Sequence, residues 1–216
     1  MSLSKKVVYT AITGGVDTLK DDQNFDGAIP VAFIDEGVET EKWNIAPVCR
    51  IFKENNRNAK IHKVLAHQYL DCDYSLWIDG NIRLRFPIDK LIEACLDDAD
   101  IAVHKHPGRD NIFQEKEACL ERNKGDPYKL KEQVDCYKKS GFDKDSLYEC
   151  PVILRRHTPE VEKFNNYWWA EICRHSRRDQ ISFPYVVDKL GIKVNTFVGQ
   201  IYNSPYFGWS HHDGVR

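Results

Sequence analysis

The chain has a single methionine, no CxxC pair, and no apolar run approaching the ~20 residues a membrane-spanning helix needs. No integral membrane segment is expected. Charge of either sign is not in excess: the formal net charge is −2 in 216 residues, so nothing draws the chain as a whole toward nucleic acid. Seven scattered cysteines, an odd count, fit reduced thiols better than a disulfide framework or a zinc site. The opening Met1-Ser2-Leu3-Ser4-Lys5-Lys6 shows no cleavage pattern, so no signal peptide is expected. These absences point to a cytoplasmic setting. Hydrophobic residues at 42% and a length of 216 give one domain, 1–216, with one substantial core.

The most informative stretch is Asp73-Tyr74-Ser75-Leu76-Trp77-Ile78-Asp79-Gly80-Asn81-Ile82. Tyr74 to Ile78 suits a buried strand. Asp79 and Asn81 then offer two hard oxygen ligands at its C-terminal end, where ligands bind in open α/β sheets. Such a pair suits Mn²⁺ or Mg²⁺ shared with a substrate's phosphates; the bland alternative is a turn, since Asp, Gly and Asn are turn residues. Asp71-Cys72-Asp73 has the same acid spacing but precedes the strand, so polarity places it at the opposite sheet edge.

Strand patterns at 6–13, 30–36, 73–79, 100–104, 150–156 and 192–199 alternate with helical ones. That order predicts an α/β fold, a three-layer α/β/α sandwich around a mostly parallel central sheet. Gly14-Gly15 after the first strand lets the backbone approach a ligand or simply turns. Asp35 and Glu36 end the second strand, where acids bind ribose hydroxyls or stay solvated. Lys60 to Leu70 reads as one amphipathic helix, its stripe Ile61, Val64, Leu65 and Tyr69. Lys60, Lys63 and His67 fall on another face, with Arg57 just before; Arg57, Lys60 and Lys63 are candidate phosphate partners, the alternative being a solvated basic face. His104 and His106 stand two apart at the end of a short strand, a spacing that permits joint ligation, or, with Pro107 following at once, lie in a loop.

Asp110 to Tyr137 reads as two charged surface helices, expected as a lid over the cleft. Asp126-Pro127 and Thr158-Pro159 are helix starts. Trp168 and Trp169 diverge by roughly a hundred degrees on their helix, so one could line a sugar-stacking surface or pack on a neighbour. Arg177-Arg178-Asp179-Gln180 suggests anion handling, or a helix start capped by Asp179. The tail, Tyr206 to Gly214, is aromatic and carries His211 and His212; the bland reading is a frayed end.

Tyr9-Thr10-Ala11-Ile12-Thr13-Gly14-Gly15, Ser75 to Asn81, and Ser176-Arg177-Arg178-Asp179-Gln180-Ile181-Ser182-Phe183-Pro184-Tyr185 resemble the glycosyltransferase-like domain catalogued as DUF616, found in bacterial proteins and plant Golgi proteins. Asp73 to Ile82 also resembles the strand and Asp-x-Asp motif of GT-A glycosyltransferases, with Asn81 in place of the second acid. The resemblance implies a GT-A-like fold and sugar transfer from a nucleotide-sugar donor to a carbohydrate or glycoconjugate acceptor, with Mn²⁺ or Mg²⁺ assisting. It implies metal ligands at Asp79, Asn81 and either His211 or His212. Thr10, Thr13 and Gly14 would lie near the base and ribose, with Asp35 beyond. Glu149 would touch the donor sugar, and Asp179-Gln180 would open a helix facing it. Two alternatives stay open: a metal-assisted, ceramidase-like amidase, since some plant proteins with this domain are described as alkaline ceramidases, and a non-catalytic nucleotide-sugar-binding module.

Overall fold

The computed structural model describes residues 4–35 and 37–214. The expected turn role of Glu36 lies outside them. Seven strands form the main sheet: β1 Lys6–Ile12, β2 Ile29–Ile34, β3 Asn44–Pro47, β4 Tyr74–Ile78, β6 Ile101–Lys105, β7 Tyr148–Arg156 and β8 Val194–Thr196. Their order is β3-β2-β1-β4-β7-β6-β8. Only β7 runs against its neighbours; the remaining pairings are parallel. The mostly parallel sheet is therefore as expected.

Side chains alternate across the sheet. Val7, Tyr9 and Trp77 enter one core, and Val8, Ile12, Leu76 and Ile78 the other. The first core is covered by α1 Asn55–Val64, α2 Ala66–Tyr69, α4 Ile112–Glu121, α5 Pro127–Lys139, α6 Pro159–Arg174 and α7 Asp179–Leu190. The second is covered by α3 Ile88–Cys95 and a small antiparallel pair, β5 Ile82–Leu84 with β9 Phe207–Trp209. The sandwich is thus uneven, one outer layer being part helix and part ribbon.

Several local expectations hold. Thr158 Oγ1 accepts from the Val161 amide, and Asp126 accepts from the Tyr128 and Lys129 amides, each ahead of a proline. Others need correction. The helix expected over Lys60 to Leu70 starts at Asn55 and breaks at Leu65 (φ −92°, ψ 41°) into α1 and α2. The last strand shrinks to Val194–Thr196. The 110–137 segment is no lid: it packs on α7 and the turn before it, with Tyr137 stacked on Tyr185, Glu115 bonded to Arg178 and Gln133 to Ser176. His104 and His106 sit in different surroundings. His104 is buried against Phe197 and Phe207, whereas His106 accepts the Gly108 and Arg109 amides at Nδ1.

Candidate functional site

At the C-terminal ends of β1 and β4 lies a cavity of about 410 Å³. The strand β4 delivers Asp79 to its floor, and the Asp79 amide donates to Pro151 O at 2.8 Å, fixing the strand end. Trp77 Nε1 donates to Asp79 Oδ1 at 2.6 Å. Asn81 follows Gly80, where a side-chain carbon would sit 2.9 Å from Asp17 Cβ. Glycine here lets Asp17 come close.

Asn81 is bound to the tail. Its Nδ2 donates to Ser210 O at 2.8 Å, and its carbonyl accepts from the Ser210 amide and hydroxyl, each at 3.1 Å. The tail is not frayed. Asp213 accepts from the Thr18 amide and hydroxyl and from Lys20 Nζ, and the Gly214 amide donates to Val16 O. This strap brings His212 to the cavity, its Nδ1 2.9 Å from Asp17 Oδ2. His211 instead packs against Trp209, exposed and off the cavity wall. The tail histidine at the site is His212.

Opposite Asp79, the start of α7 places Asp179 between two lysines of α1. Lys60 Nζ is 2.7 Å from Asp179 Oδ1, and Lys63 Nζ is 2.9 Å from Oδ2. Lys63 also lies 3.5 Å from Asp79 Oδ1. The basic face of α1 is therefore buried ion-pairing surface, not a solvated one. Asp179 caps nothing: it is the first helical residue, where a carboxylate favours the helix dipole, and its oxygens go to the lysines.

Burial alone would raise the Asp179 carboxyl, but Lys60, Lys63 and Arg178 outweigh it and hold it far below the ordinary range. Burial would lower Lys63, yet Asp179 and Asp79 hold its ammonium well above the usual lysine value. Burial dominates at Lys60, which is lowered despite Asp179, and at Asp79, which is raised despite Lys63. Burial also pushes Glu149 up to about 7, Arg109 opposing and Glu115 adding to it. Glu149 Oε2 is buried without a hydrogen-bond partner.

The supports of this cluster converge on Arg155, a fully buried side chain of β7. Its Nη1 donates to Tyr9 OH at 2.8 Å, and Tyr9 OH donates to Lys63 O at 3.1 Å. The guanidinium lies 5.9 Å from the Trp168 ring, whose Nε1 donates to Asp179 O at 3.2 Å. Arg155 thus braces both partners of the Lys63–Asp179 pair from behind.

Thr13, Lys60, Lys63, Asp79, Asn81, Glu149, Asp179, Gln180 and His212 all border the one cavity. The other expected residues do not. Thr10 is buried below it, beside a small void. Arg57 lies 5.3 Å over the Phe52 ring. Neither tryptophan of α6 borders the cavity: Trp168 is buried, and Trp169 packs on Phe52. Asp35 borders a second cavity, of about 420 Å³, which shares Ile12 and Asp17 with the first. Gly14 (φ +66°) donates its amide to Asp35 at 2.8 Å; a side-chain carbon there would sit 2.0 Å from Asn55 Nδ2, so only glycine fits. Tyr202, which carries no sequence signal, also borders the first cavity, as do Asp17, Arg178 of the anion-handling stretch and Trp209 of the aromatic tail. The acid after Gly14-Gly15 was the one available signal for Asp17.

The sequence profile of the TOD1/MUCI70, glycosyltransferase-like domain matches residues 31–205. The chain belongs to that family. It is 34% identical over 166 residues to the probable hexosyltransferase MUCI70 of Arabidopsis thaliana, covering 71% of this chain and 29% of that protein. It is 26% identical over 188 residues to the alkaline ceramidase TOD1 of Arabidopsis thaliana, covering 79% of this chain and 41% of that one. The chain thus spans less than half of either plant relative. Among solved structures, the bifunctional glycosyltransferase WbbM overlays with a TM-score of 0.51 at 10% identity, covering 91% of this chain and 39% of that chain. The fold is the GT-A-like α/β arrangement that the motifs implied.

Proposed function

We propose that this domain transfers a glycosyl group from a nucleotide-sugar donor, using a divalent cation held by Asp79, Asn81 and His212. The observation that carries the reading is that these three side chains border one cavity with Lys63 and Asp179. Among the described residues no group of three His, Cys, Asp or Glu side chains is placed to hold a metal. The donor set instead mixes acid, amide and imidazole, with substrate oxygens left to complete it, which suits Mn²⁺ or Mg²⁺. Its free atoms fit. Trp77 and Lys63 face Asp79 Oδ1, leaving Oδ2; Asn81 spends its Nδ2 on Ser210, leaving Oδ1. His212 donates Nδ1–H to Asp17, leaving Nε2, the carboxylate-backed arrangement common among metal-binding histidines.

Such a cation supplies Lewis-acid stabilisation of the charge that develops on the leaving diphosphate. Lys63 adds a fixed positive charge beside Asp79 in a partly dry site, needing no reorganisation as the bond breaks. The second cavity, floored by Ile12, Leu19 and Ile34 and rimmed by acids, takes base and ribose. Asp179, Gln180 and Glu149 then face the donor sugar. Arg178, clamped by Glu115 at 3.0 Å, donates to Gln180 Oε1 and orients its carboxamide. The amidase alternative needs three firm protein ligands around a bound water, and the mixed donor set does not favour it.

The test is release of nucleoside diphosphate from a panel of nucleotide sugars with Mn²⁺. The native chain should turn over at least one donor, and Asp79→Ala and His212→Ala should not. Donor binding without turnover for any acceptor would establish the binding module instead.

A further inference from the structure

Two aromatic rings stand exposed on the wall of the first cavity. Tyr202 is 58% exposed and Trp209 is 37% exposed. They meet edge to face, with centroids 5.0 Å apart and planes at 75°. Together they form a corner with two apolar surfaces near a right angle. Isolated exposed aromatics are ordinary; a fixed pair on the wall of a polar cavity is not.

Both rings sit on constrained backbone. Tyr202 lies in the 3-10 turn Ile201–Asn203, where Gln200 and Asn203 cap each other reciprocally. Trp209 lies in β9, paired to Ile82 of β5. The next residue, Ser210, makes the three hydrogen bonds to Asn81 described above. The corner is therefore locked to one of the proposed metal ligands.

Its position separates it from the donor. The nucleoside cavity lies at the ends of β1 and β2. Tyr202 and Trp209 border the first cavity and not this one. A donor running from β2 past Asp79 toward Asp179 leaves the Tyr202–Trp209 wall for the second substrate.

We propose that Tyr202 and Trp209 form the acceptor subsite, and that the acceptor presents a pyranose ring. The inference rests on the glycosyltransferase reading. A pyranose has an apolar C–H face, which lies flat on one ring, and a C–H edge that meets the other. Its hydroxyls point outward to the polar lining, where Gln180 borders the same cavity. Aromatic rings supply rigid contact area of this kind at little entropic cost, with an apolar body and a polar tip. An acyl chain would not need a right-angled corner ringed by polar groups.

Saturation-transfer NMR on the native chain tests this, with lactose, cellobiose, xylobiose and octyl β-glucoside below its micelle concentration as probes, in the presence of nucleoside diphosphate and Mn²⁺. At least one probe should receive saturation on the ring C–H protons of one sugar face. Tyr202→Ala and Trp209→Ala should each weaken that probe by roughly three- to tenfold, and Trp209→Phe should retain most of it. The more exposed Tyr202→Ala guards against a folding failure at Trp209. Saturation confined to the alkyl chain of octyl glucoside, no sugar binding at all, or sugar binding unchanged in both alanine variants overturns the proposal. Mn²⁺-dependent stabilisation by nucleoside diphosphate is read in the same samples. Its absence from the native chain would sink the donor reading, whereas its presence beside an inert corner would sink the acceptor subsite alone.

Discussion

The Lys63 ammonium stands 2.9 Å from Asp179 and 3.5 Å from Asp79, so one buried charge joins the acid that ends β4 to the acid that opens α7. Removing one member of such a cluster strands the others without compensation. Lys63→Met should cost roughly 3 kcal/mol or more in urea unfolding. Adding Asp179→Asn to that variant should recover part of the loss, because the stranded anion goes with it. Strict additivity in the double-mutant cycle would show that the two charges do not couple.

The same cluster fixes a pH response. Asp179 has a depressed folded pKa, so its stabilisation is complete above the ordinary aspartate value and fades only as pH falls below it. Lys63 is raised, so its share is complete below the ordinary lysine value and fades only in strong alkali. The clamp therefore persists across the neutral range. Glu149 titrates within it. Its folded pKa is raised from 4.5 to about 7, so stability present below 4.5 declines as pH rises toward 7. That decline amounts to at most about 3 kcal/mol. Glu149→Gln should flatten the urea midpoint over this window; an unchanged slope would place the titration elsewhere.

Asp71 and Asp79 test strand polarity. Asp71 pairs with Lys5 at the surface, at the opposite end of β4 from the cavity. Thermal stabilisation by nucleoside diphosphate with Mn²⁺ should disappear in Asp79→Ala and persist in Asp71→Ala.

Asn81 carries two duties that a substitution separates. Aspartate would bring a full charge to the cation but has no N–H for Ser210 O. Asn81→Asp should bind Mn²⁺ more tightly in calorimetry without donor, while losing about 1–3 kcal/mol of stability through the tail contact. Weaker metal binding would remove Asn81 from the ligand set.

The tail is structural as well as functional. Sequence alone suggests that deleting Ser210 to Arg216 leaves the melting temperature unchanged. The bonds from Ser210, His212, Asp213 and Gly214 to the β1 and β4 loops argue otherwise. The truncated chain should melt several degrees lower and lose its Mn²⁺ response. An unaltered melting curve would mean the strap adds no stability.

The positions of Asp79 and Asp179 were legible because each follows a strong local pattern, an apolar strand or a basic helix start. Lys60 and Lys63 were legible as candidates but not as buried groups. Lysines three apart on a charged helix read as solvated, and what buries them is Asp179, more than a hundred residues away. The break at Leu65 falls within Val64-Leu65-Ala66, where neither glycine nor proline marks it. β5 and β9 hold three residues each, too few for an alternating pattern to show, so the ribbon that carries Trp209 had no signature. Arg155 inside a strand gave no hint of full burial, which arises from Tyr9 and Trp168 on separate elements.

Titration calorimetry of the native chain and Asp79→Ala with UDP and GDP, each with and without Mn²⁺, tests the donor site most directly. The native chain should bind at least one nucleotide at one site only when Mn²⁺ is present, and Asp79→Ala should bind neither. Failure of the native chain to bind either nucleotide, or Mn²⁺-independent binding that survives Asp79→Ala, would contradict a metal-assisted nucleotide-sugar site.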